Sequence, residues 1–357
     1  MNASIQQPAA IQPSAAAHDF GFANKFKLLL RREFWEHKGG FFWAPLVAGI
    51  VSLVLLLGVI AAFEIKVAPE ISKHGQMVTD DGTRIKMNGL DLDALSKHMS
   101  PADMKQLGGA VDLSLYLASM WPFIVLGFVM FFYCLGSLYD ERKDRSVLFW
   151  KSLPLSDGAT VLSKVFSATV VLPTIAAVAA ILTMLGYLAI MSLFMLYHGG
   201  NPLQLLFGAG SPLTVAGNLL AMVPVYAVWS LPTVGWLMLC SAWARRVPFL
   251  WATLLPVVAT LLLGWITLMD AIDQGSFVWF LQNVSSRVLF SGVPGTWIDV
   301  VDTSAFQHID GPEDISSAIG VGTMYTAFLS AKMWAGALAG AAMIFVAIRL
   351  RRWRDEG

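Results

Sequence analysis

The densest set of charged side chains in this 357-residue sequence lies in the run YDERKDRSVLFWKSLPLSDGATVLSK, from Tyr139 to Lys164. Asp140, Glu141, Arg142, Lys143, Asp144 and Arg145 supply charge of both signs, and Val147, Leu148, Phe149 and Trp150 follow as an apolar, aromatic patch. The pattern predicts a short helix from about Asp140 to Ser152, ended by the residue before Pro154. Ser156 and Asp157 are placed to cap the helix that follows. A short amphipathic helix with exposed aromatics suits docking into a groove on a partner protein. Lying on lipid headgroups suits it equally well.

No catalytic pattern accompanies it. The dipeptide Gly-Lys occurs nowhere, so the phosphate-cradling loop of G-x-x-x-x-G-K-[ST] is missing. Neither H-E-x-x-H nor G-x-S-x-G is present. His18, His37, His74, His98, His198 and His308 include no pair at ligand spacing. Cys134 and Cys240 fall inside apolar stretches and read as small core residues. The pair Asp80 and Asp81 reads as solvated surface. The expectation is a chain that is not an enzyme, with no metal and no cofactor bound by itself, and no nucleic acid as partner.

The elements that must position the charged run are apolar and long. Phe42–Phe63, Leu115–Leu138, Val165–Tyr197, Leu213–Trp243, Pro248–Met269 and Met333–Ile348 have no charged residue in their interiors. A bilayer takes roughly 20 apolar residues in a helix. Hydrophobic residues make up 56% of the chain and charged ones only 13%, against about 25% charged in a soluble domain. The predicted fold class is therefore an all-α polytopic membrane protein with six transmembrane helices. Net charge is +0 and uninformative, but its distribution is not. With the N-terminus inside, 16 of the 24 Lys and Arg fall on the cytoplasmic side, so the positive-inside rule places both termini there. The location expected is the cytoplasmic (inner) membrane.

Residues 1–17 read as a disordered tail rich in Gln, Ala, Pro and Ser. Within 18–41, Phe22, Phe26, Leu29, Leu30 and Phe34 share one face at helical spacing. Lys27, Arg31 and Arg32 lie off it, which predicts an amphipathic helix on the membrane interface. Gly39 and Gly40 are expected to break that helix before the first span. Residues 42–349 form the transmembrane domain, with external loops at about 64–112 and 270–331, and 350–357 is a basic cytoplasmic tail. The apolar pieces Phe277–Leu281 and VLFSGVPGTWIDVV in the last loop are too short to cross. They read either as re-entrant helices covered by protein or as an amphipathic surface loop. Gly336 and Gly340 have small-xxx-small spacing, which permits close helix approach. Pro122, Pro173, Pro224, Pro232 and Pro256 are placed to kink their spans.

The run ERKDRSVLFWKSLPLSD, just after the second of six spans, resembles the type-2 ABC (ATP-binding cassette) permease family. Its members show E-R-[KE]-x-x-[ST], a short helix, and S-L-P-[VL]-S at this place. The resemblance extends from about Phe20 to the end and includes the basic helix before span one and the apolar segment before the last span. The longer first external loop departs from minimal members. The resemblance implies that Glu141 to Lys151 is a coupling helix. Glu141, Arg142, Lys143, Asp144, Arg145, Leu148, Phe149, Trp150 and Lys151 would then contact a separately encoded ATPase. It implies two ATPase subunits carrying ATP and Mg, and a second permease copy, identical or related. It implies ATP-driven export, and spans without charge favour a lipid-like, peptide or other amphipathic cargo. The competing expectation is an ATP-independent scaffold or receptor acting through its external loops.

Overall fold

The computed structural model describes residues 22–70, 76–78, 84–86, 92–97, 99–145, 156–269, 272–301 and 311–354. Six helices are long and apolar enough to cross a membrane: Gly39–Glu70, Pro101–Lys143, Asp157–Tyr197, Pro212–Trp229, Pro248–Leu268 and Ala331–Trp353. The body is therefore an all-α, multi-pass membrane protein. The strand pair among the described residues is β1 (Gln76–Val78) against β2 (Arg84–Lys86), antiparallel, in the first long loop.

The chain begins with α1 (Phe22–Glu36) and enters span 1, whose main helix is α2 (Ala44–Lys66), through a π-helical turn at Gly39–Trp43. The expected break at Gly39-Gly40 is thus a widened helical turn. Backbone bonding continues through it, with His37 N donating to Glu33 O and Phe41 N to His37 O. Helix α3 (Leu92–Lys97) precedes span 2, which is α4 (Pro101–Gly136) with the short α5 (Tyr139–Lys143). Span 2 starts well before its apolar core, because Ser100 and Asp103 form a capping box behind Pro101.

Span 3 is α6 (Asp157–Phe166), a π turn at Ser167–Val171, and α7 (Leu172–Tyr197). Ser156 caps it, accepting the Ala159 amide at 3.1 Å. The π turn falls just before Pro173, whose missing amide removes the regular bond there. The single fourth span expected over Leu213–Trp243 is two helices, α8 (Pro212–Trp229) and α9 (Leu231–Trp243), meeting at Ser230. Pro232 in the first turn of α9 is the cause. Span 5 is α10 (Pro248–Leu268) and span 6 is α15 (Ala331–Arg354). Span 3 and α9 lie deepest in the bundle, and spans 1 and 5 are peripheral.

Span 6 packs closely on α9. A Cβ at Gly340 would strike the backbone of Leu231 and Pro232, and one at Gly235 would meet Gly340 O at 2.5 Å. The small-residue pair of span 6 therefore serves packing within this chain.

Between spans 5 and 6, α11 (Gln274–Phe280), a π turn at Leu281–Ser285 and α12 (Ser286–Phe290) form one continuous helical stretch. Asp273 caps it by accepting the Ser276 amide at 2.9 Å. The hydrogen bonds from Ser276 hold the Asp273 carboxyl below its usual range. The chain then reverses at Ser291–Gly295, where Gly295 has φ +90°, a conformation that favours glycine. This tip lies against residues midway along spans 2 and 4. A Cβ at Gly292 would collide with Met130, Tyr226 Oη donates to Gly292 O at 2.8 Å, and Gly292 N donates to Thr233 Oγ1 at 3.2 Å. The tip is buried at Ser291 and Gly292 among the spans, whose side chains satisfy its irregular backbone, as a re-entrant segment would require. Helices α13 (Pro312–Ala318) and α14 (Val321–Tyr325) complete this end, α13 against α4 and α14 against α8.

One end of the bundle thus carries α1, the roots of the 146–155 segment, the 244–247 turn and the end of α15. The described parts of the long loops share the other. They are called below the terminal face and the loop face.

Candidate functional site

Three carboxylates and three cations interlock on the terminal face, drawn from α1, α5, α6 and α15. Glu33 lies on the inner face of α1 with its side chain fully buried. Its Oε1 accepts Lys164 Nζ at 3.0 Å, and its Oε2 accepts Tyr133 Oη at 2.9 Å. Lys164 also reaches Glu141 Oε1 at 3.1 Å. Arg32 Nη2 donates to that same oxygen at 3.0 Å. Arg351 Nη1 donates to Glu141 Oε2 at 2.7 Å, and its Nε reaches Asp157 Oδ1 at 3.3 Å. Glu33, Glu141 and Asp157 match Arg32, Lys164 and Arg351 in number, and the exposed Glu36 pairs with Arg32 from outside the cluster at 3.2 Å. Burial draws the Arg32 guanidinium down, but Glu33, Glu141 and Glu36 outweigh it and leave its pKa raised.

Each element delivers its charge for a local reason. Leu29 and Glu33 are the buried residues of α1, four apart and so on one face, with Phe26 packed edge-on to Phe166 of span 3. Glu141 sits in the first turn of α5, favourable for an acid. Lys164 lies one turn after Thr160 and next to Val165 on the buried side of α6. Arg351 stands in the last turn of α15. Three spans and α1 therefore converge on Glu141.

A second set of bonds ties the same root to span 4. Ser241 Oγ accepts the amides of Leu138 and Tyr139 at 3.1 and 3.0 Å. Arg142 Nη2 donates to Ser241 O at 2.5 Å and to Ala244 O at 2.9 Å. The turn that follows places Val247 at φ 47°, an uncommon setting for a β-branched residue.

This geometry revises the expected contact surface. Glu141 is buried and Arg142 points to α9, so both hold the root of the loop together within this chain. Lys143, Asp144 and Arg145 are exposed. Of the stretch Asp140–Ser152, the described part is helical to Lys143 and then turns, with Arg145 at φ 55°; residues 146–152 lie outside the described residues. Leu148, Phe149, Trp150 and Lys151 lie outside the described residues. On α1, Leu29 is buried, Phe26, Leu30 and Phe34 are half-buried, and Phe22 is exposed. The apolar face of α1 is thus partly spent on span 3.

Glu33, Lys164 and Arg351 are singled out by none of the sequence motifs above, yet two of them carry a signal in their spacing. Glu33 is in phase with Phe26, Leu29 and Leu30, and Lys164 is in phase with Thr160, Val161 and Ala168. A charge riding an apolar stripe at helical spacing must meet its opposite inside.

Comparison with protein-family models, with curated proteins and with solved structures found no match to this chain. Among the described residues, no group of His, Cys, Asp and Glu is arranged to hold a metal ion.

Proposed function

We propose that this chain is the permease subunit of an ATP-driven exporter, working in the inner membrane with both termini in the cytoplasm. A separate ATPase subunit, in two copies, docks on the terminal face, and a second permease copy completes the assembly. The cargo is amphipathic and leaves towards the loop face. The observation that carries this reading is the ion network. It fastens both roots of the 146–155 segment, at α5 and α6, to α1 and to span 6. Buried ion pairs with several hydrogen bonds are rigid and costly to separate. A force applied at that segment therefore moves spans 2, 3 and 6 as one, while the proline-broken span 4 supplies a place to bend. That is a transmission for energy received from a cytoplasmic partner.

The test is purification of the full chain from its native membranes with a C-terminal tag. The expected result is a stoichiometric ATP-binding-cassette ATPase in the eluate, whose hydrolysis is stimulated by the complex. Recovery of the chain without such a subunit, under conditions that preserve other membrane complexes, would replace this reading with an ATP-independent scaffold or receptor.

A further inference from the structure

A cavity of about 1040 Å³ opens between the 274–295 segment and the first half of span 6. Its walls are largely apolar, from Trp229, Trp279, Leu281, Phe290, Ile298 and Ala335. Its charged groups are two cations, Arg287 and Lys332, and one carboxylate, Asp299, beside the amides of Gln282 and Asn283. Arg287 is the informative member. Its guanidinium lies 3.5 Å over the Trp229 ring. Both terminal nitrogens are shielded from solvent and have no hydrogen-bond partner. The ring face answers the charge but offers no acceptor for the four N–H groups. Buried donors without acceptors are expensive, and more so on a charged group. The site nevertheless keeps room for this side chain. A Cβ at Gly336 would collide with Arg287 Nη2, so the glycine stripe of span 6 is cut back there. Asp299 lines the same cavity and its charge attracts the Arg287 guanidinium, but no ion pair closes between them within 4 Å.

We infer that the cavity binds an amphiphile with an anionic, phosphate-bearing headgroup. The headgroup is held by Arg287 and Lys332, and the chain lies along the aromatic and alanine wall. A phosphate supplies the acceptors that the guanidinium lacks, in the forked geometry that suits it, once the side chain turns from Trp229 and Gly336 into the cavity. The walls suit an acyl chain, and Trp279 and Phe290 are exposed beside the opening. The inference narrows the cargo of the proposed permease. Its binding test uses no ATPase and no transport, so it can fail or hold whatever the fate of that reading.

The experiment is thermal unfolding of the full chain in maltoside micelles, titrated with dodecyl phosphate, with inorganic phosphate or with extra dodecyl maltoside. The expected result is a saturable rise in Tm with dodecyl phosphate alone. Arg287→Met should weaken that response by roughly ten- to a hundredfold, the worth of a charge-assisted hydrogen bond or two. Ala335→Trp, which fills the cavity and leaves Arg287 in place, should abolish it. An equal response in wild type and Arg287→Met overturns the assignment. A match between inorganic phosphate and dodecyl phosphate overturns the amphiphile, since the site then takes free anions. If Arg287→Met does not fold, an unaltered response in Ala335→Trp is the overturning result.

Discussion

Two places in this molecule bury cations, and they treat them oppositely. On the terminal face, Lys164 and Arg351 are each shared between two carboxylates, and Glu141 is shared among three cations. Beneath the loop face, Arg287 has a tryptophan ring and no acceptor for its terminal nitrogens. A low-dielectric interior penalises an uncompensated charge by several kcal/mol, so a fold that pairs one set has no physical reason to leave the other unpaired by default. The difference separates two kinds of burial. The terminal-face network pairs its charges within this chain and binds helices to one another. Arg287 has only the field of Asp299 and a ring face, and by the inference above it takes its acceptors from outside.

The largest expected effect comes from breaking the paired side. Glu141→Leu removes the carboxylate shared by Lys164, Arg32 and Arg351. Lys164 keeps Glu33 and Arg351 keeps Asp157, but the network is left with an excess of buried positive charge. Removing one partner of a buried ion cluster costs about 3–5 kcal/mol. Equilibrium unfolding in mixed micelles checks this, and a loss below about 1 kcal/mol would mean that the network is wet and loose. A surface ion pair is worth no more than that.

The contrast was unevenly legible in the sequence. The spans are plain because roughly 20 uncharged apolar residues have few other destinations. Phase on α1 was legible too, yet the same phase that puts Leu29 on the inner face puts Glu33 there. Hydropathy reads that residue as an interruption. The side chains that donate hydrogen bonds to the Glu33 carboxylate are 100 residues and more away along the chain, at Tyr133 and Lys164. No local period carries a pairing across that distance. The break at Ser230 was hidden for a different reason. Prolines are common in membrane helices, and Pro122, Pro224 and Pro256 sit within intact ones, so Pro232 had no mark of its own. The re-entrant segment was one of two readings of its apolar stretch. What the sequence could not show is the polar clasp from other helices that holds its tip, with Thr233 accepting from the tip and donating to Arg287 O. The cavity and its arginine were illegible, because a lone Arg in a loop carries no sign of its depth.

The network can also be sharpened into a measured coupling. Glu33→Leu alone leaves Lys164 buried with only Glu141, while Lys164→Met alone leaves Glu33 with the Tyr133 hydroxyl and, at 3.8 Å, the partly exposed Arg32. Changing both together removes the pair without stranding either charge. The double variant should therefore be more stable than the sum of the singles predicts, by about 1–3 kcal/mol, the range for residues in direct contact. A double-mutant cycle in the same micelle assay measures it. Strict additivity would show that the two side chains do not share a low-dielectric site.

The smallest effect on stability is expected where the contrast is sharpest. Arg287→Met in the ligand-free protein removes a charge whose terminal N–H groups are unmet, and substitutes an unbranched apolar chain of similar length. What is lost is the stacking on Trp229, worth about 0.5–2 kcal/mol for a cation over an aromatic face. What is gained is relief from buried donors without acceptors, about 1–3 kcal/mol by the same kind of measurement. The two nearly offset, so the variant should unfold within about 1 kcal/mol of wild type, and on the more stable side if the donor penalty dominates. The comparison then has a clear reading. Glu141→Leu should unfold the protein easily while Arg287→Met should not, although both residues are charged and enclosed. If Arg287→Met instead costs as much as Glu141→Leu, the arginine is a structural member satisfied within the fold. The distinction between a closed network and an open site would then collapse.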